Sequence, residues 1–453
     1  MNKKMLKAIL GTVLAGTVLV ACGSSGTSGT SESAGTAETT ESSEAETTGT
    51  TEATGDEPIT VTWFTSRPVD GEIDRTMREI SQKYSEEHGG NWQIEFLTEA
   101  DRPSYLQKLQ TLIAGNNMPD IIDIDATPYC QQLVDAGLLV DVKSFLEEEG
   151  LYDRFEPTAL AYQEFTNGTM YTLPLEYHVE MIWYNKEIFA ENGLEVPKTM
   201  DDWFDVCQKL ADAGITPISV DGVDRWPVLR YLAFMPFRDT ANEYIISLSE
   251  GKASMGDAEG LAGIEFMQKI GPYFQEGFGA ADYATAQGMF LEGQSAMYYI
   301  GDWEIGAMQD GYENGTIDYF YLPTSDGALT GANEFCVNSG IGMAFNSETF
   351  DEKTKDFVKY LIDNYATLYA EKDQMTPIKG ELPEGHEFSE LYLQVREDMN
   401  GIGEHFLKPW DCYLDANTCT VMEDNLLLLA AGDMTAEEFI SLVDASLAEN
   451  ATN

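Results

Sequence analysis

Between Tyr171 and Lys186 the chain reads Tyr-Thr-Leu-Pro-Leu-Glu-Tyr-His-Val-Glu-Met-Ile-Trp-Tyr-Asn-Lys. This stretch constrains the fold more than any other. It opens as the aromatic and apolar alternation of a strand. Pro174 then removes an amide hydrogen that a regular ladder needs. Glu176 and His178 follow, two side chains able to form hydrogen bonds, before the apolar run Met181–Tyr184 resumes. Two architectures accommodate the interruption: a strand that passes between two lobes and lines the gap, or a buried strand with one edge proline. These residues alone leave both open.

The rest of the chain narrows the choice. At 453 residues it is too long for one ordinary core, so two lobes or domains are expected. The balance of 26 basic against 78 acidic residues, net −52, repels nucleic acid and anionic lipid, whose binding needs clustered Lys and Arg. No Asp-x-Asp-x-Asp-Gly calcium loop occurs, and the carboxylates read mostly as a solvated face. Six cysteines (Cys22, Cys130, Cys207, Cys336, Cys412 and Cys419) include no Cys-x-x-Cys pair, and the four histidines are too scattered for a zinc site. Without Cys22 five remain, so at least one thiol stays unpaired. Cys412 and Cys419 could bridge, or they could be buried free thiols. No cofactor or metal is expected.

At the amino terminus Lys3, Lys4 and Lys7 precede an apolar run, Ala8–Val20, which is a signal-peptide pattern and shorter than the roughly 20 residues of a membrane-spanning helix. It ends Leu19-Val20-Ala21-Cys22-Gly23, which resembles the lipobox of bacterial lipoproteins. That resemblance implies a lipoprotein signal peptide over 1–21 and a diacylglyceryl group on Cys22. Residues 22–57 follow as a Ser-, Thr- and Glu-rich segment with nothing large to bury, the composition of a disordered tether. Its end-to-end distance is about 30–35 Å. The expected product is an exported globular protein held at the membrane through lipid alone.

In the folded part, Ile59–Phe64 alternates like a strand. Ile73, Met77, Ile80 and Tyr84 recur at helical spacing, and Trp92–Leu97 reads as a second strand. Strand, helix, strand over so short a span predicts a parallel βαβ unit. A helix carrying Leu106, Leu109, Leu112 and Ile113 leads to a buried parallel strand, Met118–Asp125. In open α/β sheets ligands bind at the carboxyl ends of strands, here Phe64–Arg67 and Asp125–Thr127. Further on, a helix over Trp203–Ala213 with a near capping box at Thr199, a strand over Ile215–Val220, a helix over Lys353–Tyr369 and a capping box at Thr435–Glu438 are expected. Asp224-Arg225-Trp226-Pro227 follows the carboxyl end of the Ile215–Val220 strand.

Four stretches together resemble bacterial extracellular solute-binding protein family 1, the family that includes maltose-binding protein. They are Leu112–Ile122, Leu173–Pro197, Phe290–Trp303 with its Phe-Leu-Glu-Gly-Gln-Ser-Ala-Met and Gly-Asp-Trp, and the run from Phe406 through Trp410 to Glu438. Each is weak alone; in this order, behind a lipobox, they cover nearly all of residues 58–450. The resemblance implies an α/β chain of the periplasmic-binding-protein type II fold, two α/β lobes joined by hinge crossings. Lobe one would be 58–175 and 337–378, lobe two 176–336 and 379–450, with Tyr171–His178 as the first crossing.

The same resemblance implies a binding protein rather than an enzyme: a monomeric extracellular subunit of an ABC importer, on the outer face of the cytoplasmic membrane. It would carry a sugar or short oligosaccharide to transmembrane permease subunits. Relatives stack aromatic faces on sugar rings and surround the hydroxyls with planar polar groups. Carried over, Trp303, Trp226 and Trp410 are candidate stacking residues, although any of them could be core. Asp125, Arg67 and Tyr129 stand on loops at lobe-one strand ends, Glu176 and His178 at the crossing, and Asp302 beside Trp303. Arg67 could instead form a surface ion pair, Tyr129 could belong to a helix core, and Asp302 could merely cap a turn. Asp125 stands where maltose-binding protein has a lobe-one loop tryptophan, which argues against maltodextrin itself. Two rival readings are a binder of a cationic small molecule, such as a polyamine or peptide, and a surface glycoside hydrolase. The second is disfavoured by the absence of a nucleophile elbow, a P-loop or a metal triad.

Overall fold

The computed structural model describes residues 59–450. The predicted leader, Cys22 and the tether lie outside them. Among the described residues the strands are β1 (Ile59–Thr65), β2 (Trp92–Thr98), β3 (Ile121–Ile124), β4 (His178–Asn185) and β5 (Thr216–Ser219). They continue as β6 (Ser295–Gly301), β7 (Ile317–Phe320), β8 (Val337–Asn338) and β9 (Gly342–Phe345). They form two sheets, each belonging to one α/β lobe.

The first sheet has the order β2-β1-β3-β9. β1 pairs in parallel with β2 and β3, and β9 closes the edge antiparallel to β3. Alternation sends residues of one strand to two cores: Val61 and Trp63 pack on one face of the sheet, Phe64 on the other. Helix Glu72–Glu87 covers the first face with Met77, Ile80 and Tyr84. Helix Arg102–Ala114 covers the second with Tyr105 and Leu109. A parallel sheet needs both faces covered, and this one is.

The second sheet has the order β5-β6-β4-β7, with β8 pairing the start of β4. β4 is buried from His178 through Tyr184, and a single large core of aromatic and aliphatic residues surrounds it. Helix Met200–Asp212 begins with a full capping box, Thr199 and Asp202 exchanging both hydrogen bonds.

The expected strand beginning at Tyr171 is not regular. Leu173 makes one isolated bridge to Met343, Pro174 has no proton to give, and ladder pairing starts only at His178. The chain crosses between sheets here, and again between β8 and β9 through Gly340. At φ +58° Gly340 occupies a left-handed conformation, and a Cβ there would lie 1.7 Å from Glu176 Oε2.

After Asp224 and Arg225 the chain enters helix Trp226–Thr240, which the sequence pattern did not reveal. Its residues are buried nearly all round, from Pro227 to Phe237, so no polar face marks a helical period. The cysteines Cys130, Cys207, Cys336, Cys412 and Cys419 are all free thiols, so Cys412 and Cys419 form no bridge.

Candidate functional site

A cleft of ≈ 720 Å³ opens where the two sheets face each other across the crossings, within the range of small-molecule sites. Lobe one contributes Arg67, Arg102 and Asp125, on or near the segments that follow the carboxyl ends of β1, β2 and β3 respectively. The crossings contribute Glu176, His178 and Asn338. Lobe two contributes Trp226, Arg230, Trp303 and Asp411.

Arg67 is fixed by three neighbours. Its guanidinium pairs with Glu176, donates to the Ile341 carbonyl at 2.5 Å, and lies 3.6 Å from Asp123. Asp123 is itself fully buried and accepts from Trp63 Nε1 at 3.0 Å, Thr65 Oγ1 at 2.6 Å and the Ser66 amide at 3.1 Å. Arg102 pairs with Asp125 and donates to Ser66 Oγ at 3.0 Å.

On the lobe-two side, His178 Nδ1 meets Asp302 Oδ1 at 2.8 Å. Burial disfavours charge on the imidazole, but the Asp302 carboxylate overrides it and raises the His178 pKa above its ordinary value. Arg230 reaches Glu180 on β4 at 3.1 Å and Asp411 at 2.9 Å, and its guanidinium lies 5.0 Å from the Trp226 ring centroid. Trp226 and Trp303 are half-buried, with centroids 6.1 Å apart and planes inclined at 60°. The two indoles form an angular aromatic corner rather than one flat wall.

The backbone that presents Trp226 is strained. Arg225 has φ +66°, a left-handed conformation uncommon for a residue other than glycine. The loop before it passes so close to Phe278 that a Cβ on Gly222 would lie 2.3 Å from that carbonyl.

Six of the nine sequence candidates therefore border one cleft: Arg67, Asp125, Glu176, His178, Trp226 and Trp303. Three do not. Trp410 is corrected from a stacking candidate to a core residue, 2% exposed and packed on Tyr244. Tyr129 packs with the lobe-one cluster around Cys130 and Leu133. Asp302 is buried behind His178. Sequence reasoning missed Arg102, Arg230 and Asp411. Arg230 was within reach of it, since Trp226 and Arg230 are four residues apart and share a helix face once the helix is recognised.

Each charged side chain lining the cleft is in an ion pair. Arg67 pairs with Glu176, Arg102 with Asp125, Arg230 with Asp411, His178 with Asp302, Asp74 with Arg78 and Glu72 with Arg75. Among the described residues no group of three or more His, Cys, Asp or Glu could hold a metal ion, and no helix is long and apolar enough to cross a membrane.

Comparison with known proteins agrees with this architecture. A family model described as bacterial extracellular solute-binding protein matches residues 79–390. An ABC transporter extracellular-binding protein of Pyrococcus horikoshii is 25% identical over 222 residues, 48% of this chain and 50% of that one. The maltotriose-binding protein of Pyrococcus abyssi is 27% identical over 210 residues, 46% of this chain and 43% of that one. The chain thus spans about half the length of these curated relatives. A solved chitin oligosaccharide binding protein superposes with a TM-score of 0.72 at 22% identity, covering 87% of this chain and all of that one. At that identity the likeness establishes the fold.

Proposed function

The chain belongs to the bacterial extracellular solute-binding proteins, and from that premise we propose that it captures a sugar or short oligosaccharide between its lobes for an ABC importer. The observation that carries the ligand class is the cleft wall itself: two indoles facing space in which every charge is already paired. A charged ligand must break one of those pairs and leave a partly buried partner uncompensated. An uncharged polyol need not. Its C–H faces pack on the indoles, and its hydroxyls exchange water for the outer atoms of the paired carboxylates and guanidiniums. Similarity to proteins named for maltotriose and chitin oligosaccharide binding supports the same class.

The lobes divide at 58–175 with 337–378, and 176–336 with 379–450, and hinge at the crossings. A ligand touching both walls favours the closed arrangement by its differential affinity. Transmembrane permease subunits then read the closed pair, and no bond in the ligand is made or broken. Arg67, Asp125, Glu176, His178, Trp226 and Trp303 form the binding set. The mature protein acts as a monomer on the outer face of the cytoplasmic membrane, anchored through lipid on Cys22 after removal of residues 1–21.

Titration calorimetry against a panel of mono- and oligosaccharides tests the reading. Saccharide binding that is indifferent to salt is expected. Binding of polyamines that weakens steeply with salt, with no saccharide bound, would overturn the ligand class.

A further inference from the structure

The Trp303 indole is held from two directions by groups that do not border the cleft. Its Nε1–H donates to Tyr283 Oη at 2.9 Å. The one proton of that hydroxyl goes to Glu304 Oε1, which leaves the oxygen free to accept from the indole. Glu304 Oε2 in turn accepts from Gln287 Nε2 at 2.5 Å. The direction of this chain is fixed, because an indole N–H can only donate and a carboxylate only accept. Burial and the adjacent Glu304 push the Tyr283 phenol well above its ordinary pKa, so the hydroxyl keeps its proton. Tyr283 and Gln287 reach the same carboxylate because they are four residues apart on helix Tyr283–Leu291.

The second restraint is steric. A Cβ at Gly301 would lie 2.1 Å from Trp303 Cζ3 and 2.3 Å from Cε3. Gly301 has φ −83°, which any residue adopts, so the close approach of the ring, not the backbone, calls for glycine here. The indole is thus clamped between a bare backbone and a hydrogen-bonded chain, while part of it still borders the cleft.

We propose that Tyr283, Glu304 and Gly301 are positioning residues that hold the Trp303 ring at one fixed angle to the cleft, so that the stacking surface is preformed before ligand arrives. This rests on the carbohydrate reading given above. A ring left free in the empty protein must be ordered on binding, which for one large side chain weakens affinity by about three- to tenfold.

The test pairs ligand affinity with a signal from the ring itself. The protein is labelled with 5-fluorotryptophan, the Trp303 resonance is assigned by Trp303→Phe, and Kd is measured by calorimetry for a saccharide that binds the wild type. Tyr283→Phe, which removes one oxygen, is expected to shift or broaden the Trp303 fluorine resonance without ligand and to raise Kd about three- to tenfold. Glu304→Gln keeps an acceptor for the Tyr283 proton and is expected to change both readings less. Gly301→Ala is expected to move the resonance and raise Kd with the hydrogen-bonding groups intact. An unmoved Trp303 resonance in Tyr283→Phe overturns the proposal, whether or not Kd changes. If no saccharide binds the wild type, the ligand class has failed instead, and the ligand-free fluorine spectra still decide whether the ring is held as described.

Discussion

His178 and Asp302, 124 residues apart in the chain, share a hydrogen bond of 2.8 Å at the point where the first crossing enters the second sheet. Both side chains are buried. The raised His178 pKa means that the folded state holds its proton more tightly than the unfolded chain does. The resulting stability is fully present below the unfolded value of 6.5 and is lost as pH rises through the folded value. Melting temperature should therefore fall with pH above about 6.5. Asp302→Asn should flatten that slope while lowering stability at pH 6, and thermal unfolding across a pH series checks both.

Asp221 titrates with the same sign, although here the form that the fold favours is the uncharged one. It is 1% exposed, its Oδ2 has no hydrogen-bond partner, and burial, aided by Asp224, pushes its carboxyl up to about 6. Here the folded state favours the neutral acid, so ionisation destabilises it progressively as pH rises from the ordinary 3.8 towards 6. Asp221→Asn should stabilise the protein, with a gain that grows over that interval and levels off above it. Urea unfolding at pH 4.5, 6 and 8 measures the trend; a gain constant with pH would refute it.

The Arg67–Glu176 pair joins the end of the first strand to the first crossing. Arg67 is 6% exposed and Glu176 19%. Glu176→Gln leaves a buried guanidinium beside Asp123 with one countercharge fewer, and should cost about 2–3 kcal/mol. Gly340→Ala should cost at least as much, because the added methyl meets the Glu176 carboxylate and the backbone is left-handed there. Denaturant midpoints with an unchanged m-value are the appropriate readout.

The tryptophans separate by role. Trp303→Ala and Trp226→Ala should each weaken saccharide binding at least about tenfold, the loss of one stacked aromatic face. Trp410→Phe should leave Kd unchanged and lower the melting temperature, since that ring is sealed against Tyr244. Calorimetry on the three variants distinguishes wall from core.

The βαβ opening was legible because β1 and β2 alternate and Ile73, Met77, Ile80 and Tyr84 mark one helix face. Arg67 and Asp125 could be read for a related reason: strand ends in such sheets are where ligand loops must lie. The helix beginning at Trp226 was hidden, because a segment buried on all sides loses the polar stripe that gives a period. With it went Arg230, and with Arg230 the bridge from Glu180 to Asp411. Trp410 was misplaced for a different reason. Family position suggests which tryptophans stack, but whether a ring faces a cleft or a core depends on packing from remote segments, here Tyr244.

The antiparallel edge strand β9 has a consequence for synthesis. β1 to β3 emerge from the ribosome first, yet their sheet lacks its last strand until Phe345 has been made, and helix Glu352–Ala370, whose Phe357 and Leu361 cover one face, comes later still. The four-strand path of the second sheet is complete in sequence by Phe320. The earliest part of the nascent polypeptide is thus the later of the two sheets to close. For the export proposed above, a leading half that closes only when its trailing half arrives would keep the polypeptide threadable for longer, the form that a translocation channel accepts.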